Sequence, residues 1–153
     1  MKKVRKFFPA LVVLSWLYVA FSMLQPVEIV AVHQNHILVR HFPLTDKGKI
    51  DWWKKNAALL KTRYAIDPKA ATINIWDFRD GYQTERPDEN TFFPDKDTSY
   101  LLCFKEIKEA ERCIKKENIL LYLRSGADGA TWYRGDKGAY YQKPDGPLLL
   151  EEN

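Results

Sequence analysis

Cysteine is nearly absent, with only Cys103 and Cys113 in a chain of 153 residues. So few thiols exclude a disulfide-dense scaffold and a four-cysteine zinc module. Glycine and proline are sparse as well, at 7 and 8 residues, which excludes collagen-like and low-complexity chains. No acidic residue precedes Glu28, and the cations Lys2, Lys3, Arg5 and Lys6 account for the whole formal charge of +4. The rest of the chain is formally neutral. A neutral folded part excludes nucleic acid as the expected partner, because phosphate neutralisation needs a basic surplus. Catalytic signatures are missing too: there is no G-x-S-x-G, no H-E-x-x-H and no G-x-x-x-x-G-K. Nothing in the sequence argues for an enzyme, and no catalytic residue, cofactor or metal is expected.

What is present begins with an apolar run. Residues 7–24 read FFPALVVLSWLYVAFSML without a charge. As a helix they would extend about 27 Å, just enough to cross the hydrocarbon core. Four cations flank one end and none the other. The positive-inside rule then predicts a cytoplasmic stub at 1–6, a transmembrane helix at 7–24 and an exported domain at 27–153. The expected location is therefore the inner membrane, single-pass, with the C-terminal domain in the periplasm. A cleaved signal peptide is the rival reading, since Ala20-Phe21-Ser22 offers small residues at the spacing a signal peptidase uses. Continuation of the run through Met23 and Leu24 favours retention.

After Pro26 the runs VEIVAVH and HILVRHF predict a hairpin about Gln34-Asn35, with His33 facing His36 and Glu28 facing His41. Ile50, Trp53, Ala57, Leu60 and Tyr64 recur at three and four, which predicts a helix from about Asp46 to Tyr64. Trp52 and Trp53 are adjacent, so one of them must be partly exposed or capped by another element. TINIWDF, SYLLCF and ILLYLRS read as strands, KEIKEAERCIKKE as a short helix, and ATWYRG with AYYQK as a hairpin. The expected fold is α+β: an N-terminal transmembrane helix, then one small domain with a mainly antiparallel sheet, one long and one short helix.

Cys103 and Cys113 form an even pair in a segment expected to be exported, which predicts a disulfide. On one continuous helix they would lie about 15 Å apart, so the expectation puts Cys103 on a strand and Cys113 on a helix that folds back. Two buried free thiols are the alternative. Among polar residues, His33, His36 and His41 cluster in sequence, but the expected pairing leaves two cross-strand ligands where a catalytic zinc wants three. Asp77 and Asp80 flank a predicted turn, where Asp ordinarily bonds its own backbone. Trp132, Tyr133, Tyr140 and Tyr141 stand on both faces of a predicted hairpin. Core packing accounts for one face, and aromatic residues on the other suit a protein-binding surface.

PVEIVAVH from Pro26, FPLTDKGKI from Phe42 with Trp52 and Trp53, WDFRDGY from Trp76, and LCF with CI at Cys103 and Cys113 occur in order. In these blocks, over most of its length, the chain resembles the enterobacterial putative membrane protein family catalogued as domain of unknown function 943. The resemblance implies a small membrane protein of enteric bacteria without an assigned activity. A setting near secreted-toxin clusters would imply an immunity role. Two functions follow as expectations. One is a membrane-tethered periplasmic domain that binds a protein, with toxin neutralisation as its leading form. The other is an envelope enzyme or small-ligand or metal binder using His33, His36 and Asp77.

Overall fold

The computed structural model describes residues 12–13, 15–16, 25–69, 72–86 and 98–151. Strand β1 (Glu28–His33) turns at Gln34 and Asn35 into β2 (His36–Arg40). His33 lies opposite His36, as a two-residue loop requires. Glu28, however, meets Arg40 rather than His41, because the register shifts between Ile29 and Ala31. The extra residue, Val30, is a bulge that moves every pair beyond it by one.

Helix α1 (Asp46–Tyr64) begins at Thr45, whose hydroxyl accepts the Gly48 N–H at 3.1 Å, and ends where Ala65 takes a left-handed φ of 56°. Ile50, Trp53 and Leu60 are buried along one stripe. Trp52, next to that stripe, is capped edge-on by Phe42 at 5.1 Å between ring centres. Beyond α1 the chain forms β3 (Thr72–Asp77), β4 (Gln83–Thr84), β5 (Leu101–Cys103) and β6 (Glu111–Lys115). A 3₁₀ turn (Lys116–Asn118) leads to β7 (Ile119–Ser125), β8 (Thr131–Arg134), β9 (Ala139–Gln142) and β10 (Leu148–Leu150).

Seven strands make the main sheet, in the order β1-β2-β3-β7-β8-β9-β10, and β4-β6-β5 make a second, smaller one. Among the described strands only β2 and β3 pair in parallel, with α1 as the crossover between them. The layers follow from strand alternation. On one face of the main sheet Ile37, Val39, Ile73, Ile75, Leu121, Leu123 and Tyr133 close a core with Ile50, Trp53 and Leu60 of α1. On the other face Leu38, Trp76 and Phe78 pack against Phe104 and Ile114 from the small sheet. Strand β2 is covered on both faces, which is why Ile37, Leu38 and Val39 are all buried without alternation.

Two expectations about the fold are corrected. The described domain is mostly sheet, with one α-helix, and KEIKEAERCIKKE is no helix. Glu111–Lys115 of that segment pairs with both β4 and β5 as the central strand of the small sheet. Cross-strand pairing and the disulfide override a local composition rich in helix formers. The expected N-terminal transmembrane helix is not found either. Among the described residues no helix is long and apolar enough to cross a membrane, and of residues 7–24 only Val12, Val13, Ser15 and Trp16 are described. Eighteen uncharged residues sit at the lower limit for a span, and Pro9, Ser15, Trp16, Tyr18 and Ser22 interrupt the aliphatic character.

Candidate binding face

The small sheet draws its core partners from β1 to β3 and their flanks, and the same face of β7, β8 and β9 carries a groove. Alternation decides what that groove displays. In β7 Leu121 and Leu123 point toward α1, so Tyr122 and Arg124 point away. In β8 Tyr133 points inward, leaving Trp132 and Arg134 outward. Cross-strand register sets these outward residues in two rows. Arg124, Trp132, Tyr141 and Leu149 form one, and Tyr122, Arg134 and Ala139 form the next. Of these, Tyr122, Arg124, Trp132, Arg134 and Ala139 line a groove of about 800 Å³, with Ile119 and Glu151 also at its wall.

Trp132 and Tyr141 touch, their ring centres 5.0 Å apart and tilted by 47°. A contact of this kind contributes about 0.5–1.5 kcal/mol beyond the burial itself. Gly126 makes room for it: a Cβ there would lie 2.8 Å from Trp132 Cζ3. Among the described residues neither Arg124 nor Arg134 has an ion-pair partner.

The four expected binding aromatics therefore divide. Tyr133 is buried in the α1-side core and Tyr140 packs against that core, while Trp132 and Tyr141 lie on the groove side. Burial pushes the Tyr133 hydroxyl pKa up, partly opposed by its hydrogen bond with Thr131. Tyr122, Arg124 and Arg134 escaped the sequence reading. The alternation of ILLYLRS against TWYR is the signal that could have found them.

A second polar cluster joins the two sheets. His33 stacks on Phe104 with ring centres 4.1 Å apart. Its Nδ1–H faces Glu106 Oε1 at 2.9 Å, and its Nε2 meets the Tyr82 hydroxyl at 2.6 Å. Trp76 Nε1–H donates to His36 Nδ1 at 3.1 Å. Burial, and then the charge of His33, lower the His36 pKa, with Glu106 acting the other way. Burial and the Glu106 charge both raise that of Tyr82. Neither His41 nor Asp77 joins this cluster. His41 follows β2 at its far end, and Asp77 lies opposite Val39, three positions along the strands from the level of His36. Asp77 instead accepts the Arg79 backbone N–H at 3.0 Å and pairs with the Arg79 guanidinium at 2.8 Å. The turn explains Asp77.

The two sulfurs are bonded to each other, Cys103 facing Cys113 directly across β5 and β6 with Cα atoms 4.0 Å apart. The expected pairing is present, but strand to strand rather than strand to helix. Glu85 is the third member of a group with metal-ligand proximity, yet its two cysteine neighbours are tied up in the bridge.

A family model for enterobacterial putative membrane proteins, DUF943, matches residues 1–150. The chain belongs to that family. No curated protein and no solved structure matches it. The description of the DUF943 family goes no further than a putative membrane protein and names no activity.

Proposed function

We propose that this chain is a non-catalytic, membrane-held protein whose sheet domain lies on the periplasmic side of the inner membrane and binds another protein there. One observation carries the binding. The outward face of β7, β8 and β9 presents Trp132, Tyr141 and Tyr122 beside two arginines without ion-pair partners among the described residues. Trp, Tyr and Arg are the residue types that supply most interface hot spots. The Cys103–Cys113 bridge supports an oxidising compartment, and the family description supports a membrane setting. A domain confined to a layer beside a bilayer meets partners in that layer at raised effective concentration, so a micromolar site suffices. Neutralisation of an exported toxin is the form of binding we carry forward.

The test is co-expression of the full chain with the products of neighbouring genes exported to the periplasm, read by growth and by co-purification. Truncating Trp132 or Tyr141 to Ala should each cost about 2 kcal/mol of partner affinity. If both variants hold the partner as tightly as the parent chain, another surface is responsible. Partner binding without growth protection would remove the toxin version and keep the binding one.

A further inference from the structure

Resting on the protein-binding reading, we infer that the partner presents an extended acidic segment, laid over β7 and β8 with carboxylates at alternate positions. The placement of charge carries this. Tyr122 lies opposite Arg134 and Arg124 opposite Trp132, so arginine and aromatic side chains alternate on a two-by-two grid. The two arginines occupy its diagonal, a separation of about 7–8 Å in an antiparallel pair. Side chains two apart on an extended chain point the same way and lie about 7 Å apart. A segment with acidic residues at alternate positions therefore sets one carboxylate over each guanidinium, while the Tyr122 and Trp132 rings cover the chain between them.

Charge at this site favours such a ligand. Both arginines are exposed, and among the described residues neither has an ion-pair partner, so each retains its donor fork for a carboxylate. Among the described residues Glu151 is the one acidic residue at the groove wall. A guanidinium also accepts phosphate, so an anionic membrane surface is the competing occupant. The grid argues against it: lipid headgroups are mobile and gain nothing from a fixed diagonal spacing, whereas alternate residues of a strand match it.

The experiment titrates the full chain in detergent with a fluorescein-labelled peptide carrying glutamate at every second position, read by anisotropy. A scrambled peptide of equal charge with its glutamates adjacent serves as control, and vesicles rich in anionic lipid form a separate arm. The alternating peptide should bind at least tenfold more tightly than the scrambled one, and R124Q/R134Q should remove that preference while circular dichroism stays unchanged. Glu151→Gln should tighten binding by roughly threefold, the scale of one exposed charge contact. Equal binding of both peptides, or insensitivity to R124Q/R134Q, overturns the proposal. So does binding of the vesicles through the same arginines without binding of either peptide. The two readings fail differently. If Trp132→Ala abolishes capture of a partner and R124Q/R134Q does not, the binding face stands and the acidic segment falls. If neither change affects capture, both fall.

Discussion

Lys49 is only 1% exposed, so its ammonium has given up water and must find every partner inside the fold. It donates to the Leu120 carbonyl at 3.1 Å and to Asp136 Oδ2 at 2.6 Å. Asp46, equally hidden at the start of α1, accepts the backbone N–H groups of Asp136 and Lys137, each at 2.9 Å. The helix is thereby fastened to the β8–β9 turn, and Gly135 leaves space for it, since a Cβ there would fall on the Asp46 carboxylate. Asp46→Ala strips two buried donors of their acceptor and should cost about 3 kcal/mol. Lys49→Met releases a half-exposed Asp136 to solvent and takes the cation 3.9 Å from the buried Asp46 carboxylate, but it keeps most of the volume and both backbone hydrogen bonds to Asp46, so it should cost less. Urea midpoints of the two variants test the order; if Lys49→Met is the worse, the ion pair rather than the backbone bonds holds the turn. His36 gives a pH prediction at the same scale. Trp76 can only donate, so His36 Nδ1 must be bare in the fold, and burial and His33 hold its pKa below the ordinary 6.5. The unfolded chain therefore takes up the proton first as pH falls. The contribution of His36 is complete above about 6.5 and is lost as pH drops from there through the lower folded value. Between pH 7 and 5 the unfolding free energy should fall more steeply for the parent chain than for His36→Gln. Equal slopes would assign the acid sensitivity to other groups.

Among the elements, those with a strong period were legible in the sequence and those held by distant partners were not. The spacing of Ile50, Trp53 and Leu60 gives α1 to the residue, and two polar residues between β-branched runs give the β1–β2 turn. The Val30 bulge has no signature in composition, so the pairing of Glu28 was off by one. The spacing of four between Lys49 and Trp53 puts this lysine on the buried stripe, where its residue type alone points to solvent. Strand β6 fails for a physical reason: its segment carries Glu and Lys at helical spacing, and only the neighbours β4 and β5 make it extended. The outward arginines are legible once the inward leucines are assigned, since parity fixes both. Joining β5 to β6, the Cys103–Cys113 bridge closes a loop of about eleven residues, worth about 2–3 kcal/mol on the chain-entropy model. Cys103→Ser with Cys113→Ser should lower the unfolding free energy by that amount. The loss should fall on the small sheet first, detected as faster amide exchange at Leu102 and Ile114 than at Ile75 and Leu121. Uniform acceleration across both sheets would mean that the small sheet does not open separately.

At the scale of the whole molecule, the helix covers one face of the main sheet and the disulfide-bonded small sheet covers part of the other. The bridge is thus part of a layer, and the compartment that allows it matters to the fold as much as to location. The proposed periplasmic placement rests on four cations before the apolar run and a formally neutral remainder. The reducing cytosol would keep Cys103 and Cys113 as thiols and weaken the layer that buries Phe104 and Ile114. Alkaline phosphatase fused to the C-terminus should therefore be active in intact cells, because that enzyme itself requires an oxidising space. Alkylation of whole cells under denaturing conditions without reductant should leave both cysteines unlabelled, and reductant should expose them. The two measurements constrain each other. An inactive fusion with both thiols labelled would put the domain in the cytosol and remove the periplasmic partner with it. An active fusion with labelled thiols would keep the location and show that the bridge forms only in part of the population. In that case the small sheet has to hold through the packing of Phe104 and Ile114 on Leu38, Trp76 and Phe78, and its stability should no longer respond to serine at both cysteine positions.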